Sequence, residues 1–363
     1  MTNGDIARRR MHNQLLAAPS GLAPGEVVRR LGAVQAQEYL SAKWALALRC
    51  GPHTSDSEVQ QAIDEGSILR THVLRPTWHF VAPEDAAWML ALTGPRVLRG
   101  LASRYRQLEL DEAQFERSQA VFRAVLAGGK DATRLELKAA LEAAGIDTSR
   151  QDRFGHMLTQ AELSGLLVSG PYRGKQNTYT LLEARAPRPR KLAGEDALAE
   201  LALRYFSSHG PATLKDYTWW SGLTMAQVRA GIETAGERLV REEIDGQEYY
   251  GPPDTGLDTA PPSPSALLLP DFDEYVVAYA DRSAVFDPDQ SSWLHMAGGV
   301  LSKVLLIDGM VAGGWKRKIK KNAVRVTIHP LAPLSAVEES ALAAAVERYA
   351  AFLGLTPEVE ITL

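Results

Sequence analysis

Apolar residues along this chain recur at helical spacing in some stretches and at strand spacing in others, and the alternation itself repeats. The middle of the chain shows it best. Residues 113–127 carry apolar positions every three or four residues, the spacing of an amphipathic helix. Gly128-Gly129 stops that helix. Thr133, with Glu136 three residues on, predicts a capping box that opens a helix over 134–144, which Gly145 ends. A longer amphipathic helix is expected over 149–166, with Met157, Leu158, Ala161, Leu163 and Leu166 turned inward. Two strands follow, Leu167-Val168-Ser169 and residues 178–182, separated by the turn Pro171-Tyr172-Arg173-Gly174-Lys175. Helix, turn, helix and β-hairpin in this order form a winged helix.

The pattern returns at 195–250. A helix over 195–208 ends before Gly210-Pro211, Thr213 opens a second through Trp220, and Thr224 caps a third through Thr234. Strands at 237–244 and 247–251 flank Asp245-Gly246, a two-residue hairpin signal. A looser copy fills 1–82. There a helix over 5–17 is followed by Gly25 to Gln37, then a helix near 56–64. Its strands are residues 68–71 and 77–81, joined through Arg75-Pro76. Residues 83–111 read as helical linkage between the first two copies. Pro187-Arg188-Pro189-Arg190-Lys191 and the proline-rich stretch 252–265 read as linkers. Beyond them the texture turns to strands: residues 266–270, 304–315 with Asp308-Gly309 as another hairpin turn, and 324–328. A helix over 335–353 and a strand over 358–362 close the chain. The expected fold class is therefore α+β, tandem winged-helix units followed by a small β-rich sheet or barrel with one covering helix. The expected domains are 1–111, 112–190, 191–255 and 266–363.

Composition changes this picture little. The chain has 363 residues, 45% hydrophobic and 23% charged, an ordinary soluble balance. Its one cysteine, Cys50, excludes an intramolecular disulfide and a cysteine-based zinc site, and fits a reducing compartment. The first ten residues lack the apolar core of a signal peptide, and no stretch is apolar enough to span a bilayer. A cytoplasmic, nucleoid-associated protein is the expectation. The net charge of −4 does not announce a nucleic-acid binder. Local charge does more. Lys316, Arg317, Lys318, Lys320 and Lys321 crowd six positions after Gly313-Gly314, read as a turn, and Arg173 and Lys175 sit on the middle wing. These are the candidate phosphate contacts, with a solvated charged hairpin as the plain alternative.

Several enzyme classes drop out. The chain has no Walker A loop, no Gly-x-Gly-x-x-Gly, no His-Glu-x-x-His and no Gly-x-Ser-x-Gly. His72 and His79 flank one wing at a spacing poor for metal binding. Asp271, Asp273 and Glu274 lack the spacing of an EF-hand loop. No metal and no cofactor are expected. Trp219-Trp220 and Trp315 suit core packing, with base stacking as the alternative. The most distinctive stretch is Val34-Gln35-Ala36-Gln37, placed by the pattern at a helix end. Two glutamines two residues apart share a face only on extended backbone. They can serve as a hydrogen-bonding cap or as a site.

Leu31-Gly32-Ala33-Val34-Gln35-Ala36-Gln37-Glu38, with Trp44 to Arg49 behind it, resembles the signature of the bacterial winged-helix DNA glycosylases of the AlkZ/YcaQ type. Three further segments agree in family order: residues 74–81, residues 268–275 with Asp281-Arg282, and residues 307–315. Pro76 stands where the family pattern would have a small residue such as glycine. The resemblance covers nearly the whole chain. It implies tandem winged helices, a concave basic surface for double-stranded DNA, and removal of N7-alkylated purines, including bulky adducts and interstrand crosslinks. It places the chain in the Gln-x-Gln branch, so Gln35 and Gln37 inherit the catalytic role.

The chemistry is consistent with that role. Glutamine cannot hold a proton at pH 7, so a pair of amides works only by positioning water and orienting dipoles. That suffices when the leaving purine is already cationic and the transition state resembles an oxocarbenium ion. No lysine is placed to form a Schiff base, so a monofunctional enzyme leaving an abasic site is expected, acting as a monomer away from membranes. An open groove would suit bulky lesions better than a tight flipping pocket. Two other readings stand beside this one. A non-catalytic winged-helix regulator is the first, because fold does not fix function; a structural adaptor that only covers damage is the other.

Overall fold

The computed structural model describes residues 3–18, 20–150, 152–174, 176–253, 265–286 and 302–362. Helices α1 (Asn3–Asn13) and α2 (Pro24–Leu31) lead into the short strand β1 (Ala33–Gln35). Then come α3 (Tyr39–Arg49), α4 (Asp56–Glu65) and the hairpin β2 (Leu69–His72) and β3 (Trp78–Val81). The long helix α5 (Pro83–Gln107) leads to α6 (Glu112–Leu126), β4 (Ala132–Thr133), α7 (Arg134–Ala143), α8 (Arg153–Leu163), β5 (Leu167–Ser169) and β6 (Thr178–Leu181). After the single turn α9 (Leu182–Arg185) follow α10 (Gly194–His209), α11 (Leu214–Ser221), α12 (Met225–Ala235), β7 (Val240–Ile244) and β8 (Gln247–Gly251).

Sheet order makes the repeat explicit. The first sheet runs β1-β3-β2 and the second β4-β6-β5, so in each the strand before the middle helices pairs with the last strand of the wing. The third copy keeps this pairing as a single bridge, Ala212 to Tyr250, beside the β7–β8 hairpin. Each middle helix starts from a strong local signal in the second and third copies. Thr133 with Glu136, and Thr213 with Asp216, form capping boxes directly after the first strand.

The first copy differs from the sequence expectation. Its leading helix is α2, not α1, and α3, rich in apolar residues on every side, is a helix that the periodicity does not predict. Such a helix lacks an amphipathic stripe because it is buried all round: Ser41 to Arg49 are all buried. The glutamine motif also moves. Helix α2 ends at Leu31 with Gly32 at φ 81°, so Gln35 ends a strand, not a helix.

The C-terminal part is a five-stranded sheet of β9 (Ala266–Leu269), β10 (Val304–Ile307), β11 (Met310–Ile319), β12 (Ala323–Pro330) and β13 (Thr356–Ile361). Its order is β13-β12-β11-β10-β9, antiparallel except for β12–β13. Between β9 and β10 the described chain carries the four-residue helix α13 (Glu274–Val277). Helix α14 (Ala336–Leu353) covers the sheet and packs on β9 and β13. Asp308 and Gly309, at φ 49° and 83°, make the expected tight turn between β10 and β11. Gly313 and Gly314 form no turn; they lie within β11, where a Cβ on Gly313 would stand 2.6 Å from the His329 carbonyl oxygen. Most of the proline-rich stretch 252–265 lies outside the described residues. The 187–191 linker is pinned: Arg190 pairs with Asp85 and Glu200.

The cores cut across sequence order. One apolar cluster joins α1–α4 to β9, β10 and α14, and includes Trp44, Trp315 and Tyr349. Another joins the first sheet and α5 to α10–α12. A third belongs to the second copy. Helix α13 runs between the first two. It is fixed by a buried two-pronged ion pair in which Arg49 Nη1 and Nη2 donate to Asp273 at 2.9 and 2.7 Å. Arg49 also donates to Gln14, Gln14 to Tyr279, and Tyr279 to the His209 carbonyl. Replacing Arg49 by leucine strands a buried carboxylate, with an expected stability loss of about 3–5 kcal/mol. Urea denaturation of Arg49→Leu checks this; a midpoint equal to the parent's would contradict the pairing.

Candidate active site

Strand β1 is the edge of the first sheet. It pairs on one side only, with Gln35 directly opposite His79 and Thr71 beyond on β2. Residues opposed in this way project their side chains to one face. Gln35 is 8% exposed, while His79 and Thr71 are fully buried. Gln35 Oε1, His79 Nε2 and Thr71 Oγ1 are buried without a hydrogen-bond partner within the protein, and all three belong to this one row across the sheet.

The backbone of the motif is held from three directions. The Gln35 N–H points away from the sheet and donates to Glu274 Oε1 at 2.7 Å. The Ala36 N–H donates to the Trp78 carbonyl at 2.7 Å. Arg70 reaches across from β2, and its Nε donates to the Ala36 carbonyl at 3.0 Å and its Nη2 to the Gln37 carbonyl at 3.4 Å. The Arg70 guanidinium lies over the Trp78 ring, 4.4 Å from its centre. The second copy braces Arg70 through its backbone N–H, which donates to Ser169 Oγ. Gln37 itself is exposed at the bend before α3. In the other two copies a capping threonine occupies this junction. Here Glu38 begins α3 without a side-chain cap, so Gln35-Ala36-Gln37 replaces the local capping rule.

Histidine and carboxylate charge states follow from burial. His79 Nδ1–H donates to the Thr77 carbonyl at 2.9 Å, which leaves Nε2 as the acceptor. Burial, helped by the nearby Arg75 charge, pushes the His79 pKa down to about 4, so its ring is neutral near pH 7. Burial by itself would raise the Glu274 carboxyl, but His209 and the Gln35 N–H hold it below the usual range. Trp220 Nε1 donates to Glu274 Oε2 at 2.9 Å, and His209 Nε2 stands 3.5 Å from the same oxygen.

At the wing tip Pro76 is exposed and Leu74 takes φ 64°. Gly222 meets this loop: a Cβ there would stand 2.7 Å from the Leu74 carbonyl oxygen. Arg75, mostly buried, has Nε and Nη2 without a protein acceptor. Trp219, 44% exposed, lies between Arg75 and Arg282, whose guanidinium carbons stand 5.6 and 5.7 Å from its ring centres. Beside Gly222 opens a groove of about 710 Å³ that exposes Arg96 and Arg99. Trp220 and Trp315 are core residues.

The other sequence candidates are dispersed. Strand alternation splits the C-terminal basic run: Lys316 and Lys318 face outward, while Arg317 turns back to Tyr349 of α14. Lys320 pairs with Glu358, and Lys321 is exposed at the following turn. Arg173 is engaged by Asp131 and Glu136; Lys175 lies outside the described residues. Asp271 pairs with Lys303 and Asp273 with Arg49. His72 pairs with Glu162. The sequence does not single out Glu274, Arg75 and Arg282 as site residues. Their motifs are visible in it, but nothing in the spacing tells that residue 274 meets residue 35.

The family model of AlkZ-like DNA glycosylases matches residues 28–352. The chain belongs to that family, and its class is that of DNA glycosylases, hydrolases of N-glycosyl bonds that act on DNA. It is 28% identical over 359 residues to an interstrand DNA cross-link repair glycosylase of Streptomyces sahachiroi, across 92% of each chain. The solved structure of the Streptomyces sahachiroi DNA glycosylase AlkZ superimposes with a TM-score of 0.83 over the whole of both chains at 24% identity, and shows the same fold. No helix among the described residues is long and apolar enough to cross a membrane.

A neutral buried His79 carries a stability consequence. Its folded pKa of about 4 lies below the roughly 6.5 of an unfolded histidine. The unfolded chain therefore binds the proton first, and stability falls as pH drops through the window from about 6.5 to about 4. His79→Asn is expected to flatten this fall, measured as urea midpoints at pH 7 and 4.5. An equal fall in both proteins would refute the assignment.

Proposed function

We propose that this protein excises cationic N7-alkylated purines, bulky or crosslinked ones included, from double-stranded DNA and leaves an abasic site. The observation that carries the reading is the Gln35 amide, whose buried oxygen has no protein partner while its backbone is fixed on both sides. An amide so held accepts a hydrogen bond from water and aims it, without acting as a base. Gln37, exposed two residues on, is assigned to the deoxyribose side of the bound duplex. The alkylated purine is already cationic and leaves without protonation, so orientation and dipoles are enough. The place where a repeated fold breaks its own capping rule is also where function is expected. The relative from Streptomyces sahachiroi, by its name, repairs interstrand crosslinks, which supports the bulky end of this substrate range.

We assign the duplex to the face that carries the first wing tip, exposed Trp219 and the Arg96–Arg99 groove, with Lys316, Lys318 and Lys321 as outlying phosphate contacts. Arg173, Arg317 and Lys320, as well as Lys175, are retained as weaker candidates, since the first three already have partners in the chain. The protein acts as a monomer on this scheme, because three fused units supply asymmetric contacts without a palindrome.

Release of N7-methylguanine from a labelled duplex should be lost, by about 100-fold or more, in Gln35→Ala and reduced in Gln37→Ala, with DNA affinity kept. Uracil release, or a borohydride-trapped adduct with the protein, would contradict the chemistry. Tight sequence-specific binding without excision of any lesion would return the case to a regulator. Separately, Lys316→Gln with Lys318→Gln should weaken binding for all sequences and lower the salt slope by about one for each phosphate no longer neutralised. An unchanged slope would remove these lysines from the DNA path.

A further inference from the structure

We infer that Glu274 is a positioning residue for Gln35: its buried carboxylate fixes the outer edge of β1 and thereby sets the direction of the amide that holds the water. This rests on the reading of Gln35 as the water-holding group and adds a residue 239 positions away in the chain.

An edge strand presents N–H groups that no neighbouring strand satisfies. Strand β1 has three residues and pairs only with β3. At its last residue the outward N–H belongs to Gln35 and is met by Glu274 Oε1 at 2.7 Å. A bond from an N–H to a charged oxygen is shorter and roughly twice as strong as one between neutral groups. The two carboxylate oxygens divide their partners. Oε1 is left to Gln35, while Oε2 takes the Trp220 indole at 2.9 Å and stands 3.5 Å from His209 Nε2.

Those partners come from α11 and α10 of the third copy, so the carboxylate ties the catalytic strand to a rigid neighbour. Glu274, Trp220 and His209 are all fully buried. None reaches the surface to touch DNA, and the carboxylate's hydrogen bond to the strand that carries the glutamine is the one from the Gln35 N–H. The group stays ionised, since its surroundings hold its pKa below the usual carboxylate range. Burying a charge is costly, and a neutral residue would satisfy a single edge N–H more cheaply. A charged residue is the better choice where the strand must not shift, because displacement of a reacting group by about 1 Å costs on the order of 100-fold in rate.

The test uses the full chain and single-turnover release of N7-methylguanine with protein in excess. Parent, Gln35→Ala, Glu274→Gln and Glu274→Asp are compared, with duplex affinity and melting temperature measured for each. Glu274→Asp keeps the charge but withdraws it by one methylene, so it should fold even where Glu274→Gln does not. Both Glu274 variants are expected to lose about 10- to 100-fold in the excision constant, with affinity within about twofold. Hydrogen exchange should quicken in the peptide that holds Gln35 and stay unchanged in peptides from α7 and α14. Excision near the parent's in Glu274→Asp, with Gln35→Ala inactive, would overturn the inference alone. So would faster exchange throughout the chain, which marks a purely structural part. Full activity of Gln35→Ala would instead sink the reading on which it rests.

Discussion

A carboxylate taken out of water must be met by donors, and this chain buries two adjacent ones, Asp273 and Glu274, at the centre of the molecule. Their donors set the arrangement of everything nearby. Asp273 is gripped by Arg49 of α3, and Glu274 by the Gln35 backbone, the Trp220 indole and the His209 ring. The segment that carries both acids follows β9, so the C-terminal sheet, the first winged helix and the third meet at one short turn. The apolar clusters meet in the same place. The first unit shares one core with the C-terminal sheet and another with the third unit. Breaking that turn would separate units that local signals alone cannot hold together.

Three copies of one topology diverge at one point. The strand before the middle helices has three residues in the first copy, two in the second, and survives as one bridge in the third. In the later copies it runs straight into a threonine cap. In the first it continues into Gln35-Ala36-Gln37, and the helix start is left without a side-chain cap. The missing cap costs about 1 kcal/mol of local stability. In exchange the chain has an edge strand whose amides are free of the helix, clamped by Arg70 and Glu274 on either side.

This economy of means suits the proposed chemistry. A neutral amide cannot activate water as a base does, but it can aim it. With a cationic leaving group the barrier is mainly one of orientation and of stabilising positive charge on the sugar. A neutral histidine behind Gln35 and an ionised glutamate behind its backbone add no further positive charge to that region. Arg70 is the guanidinium that touches the motif, on its backbone carbonyls; Arg75 and Arg282 stand around Trp219 at the wing tip, on the face proposed for the duplex.

Much of the fold is legible without coordinates. The capping box at Thr133, the helix starts at Thr213 and Thr224, and the turns Asp245-Gly246 and Asp308-Gly309 are local rules, written within four residues and obeyed. The alternation of apolar positions settles element type along most of the chain. The all-buried α3 escapes, because periodicity says nothing about a helix with no exposed face. The glutamine motif is visible by resemblance, but its placement on a strand is not: Gly32 and the pairing with β3 end α2 early. The basic run reads as one patch until strand alternation turns Arg317 toward Tyr349 and a partner claims Lys320. Glu274 carries no local sign of its role, since a buried charge is defined by its partners, and those lie 54 to 239 residues away. Sequence determined which elements form, because helix caps, turns and periodicity act between near neighbours. Tertiary structure alone decided which polar groups are buried together, because desolvation and hydrogen bonding depend on what the fold brings into contact.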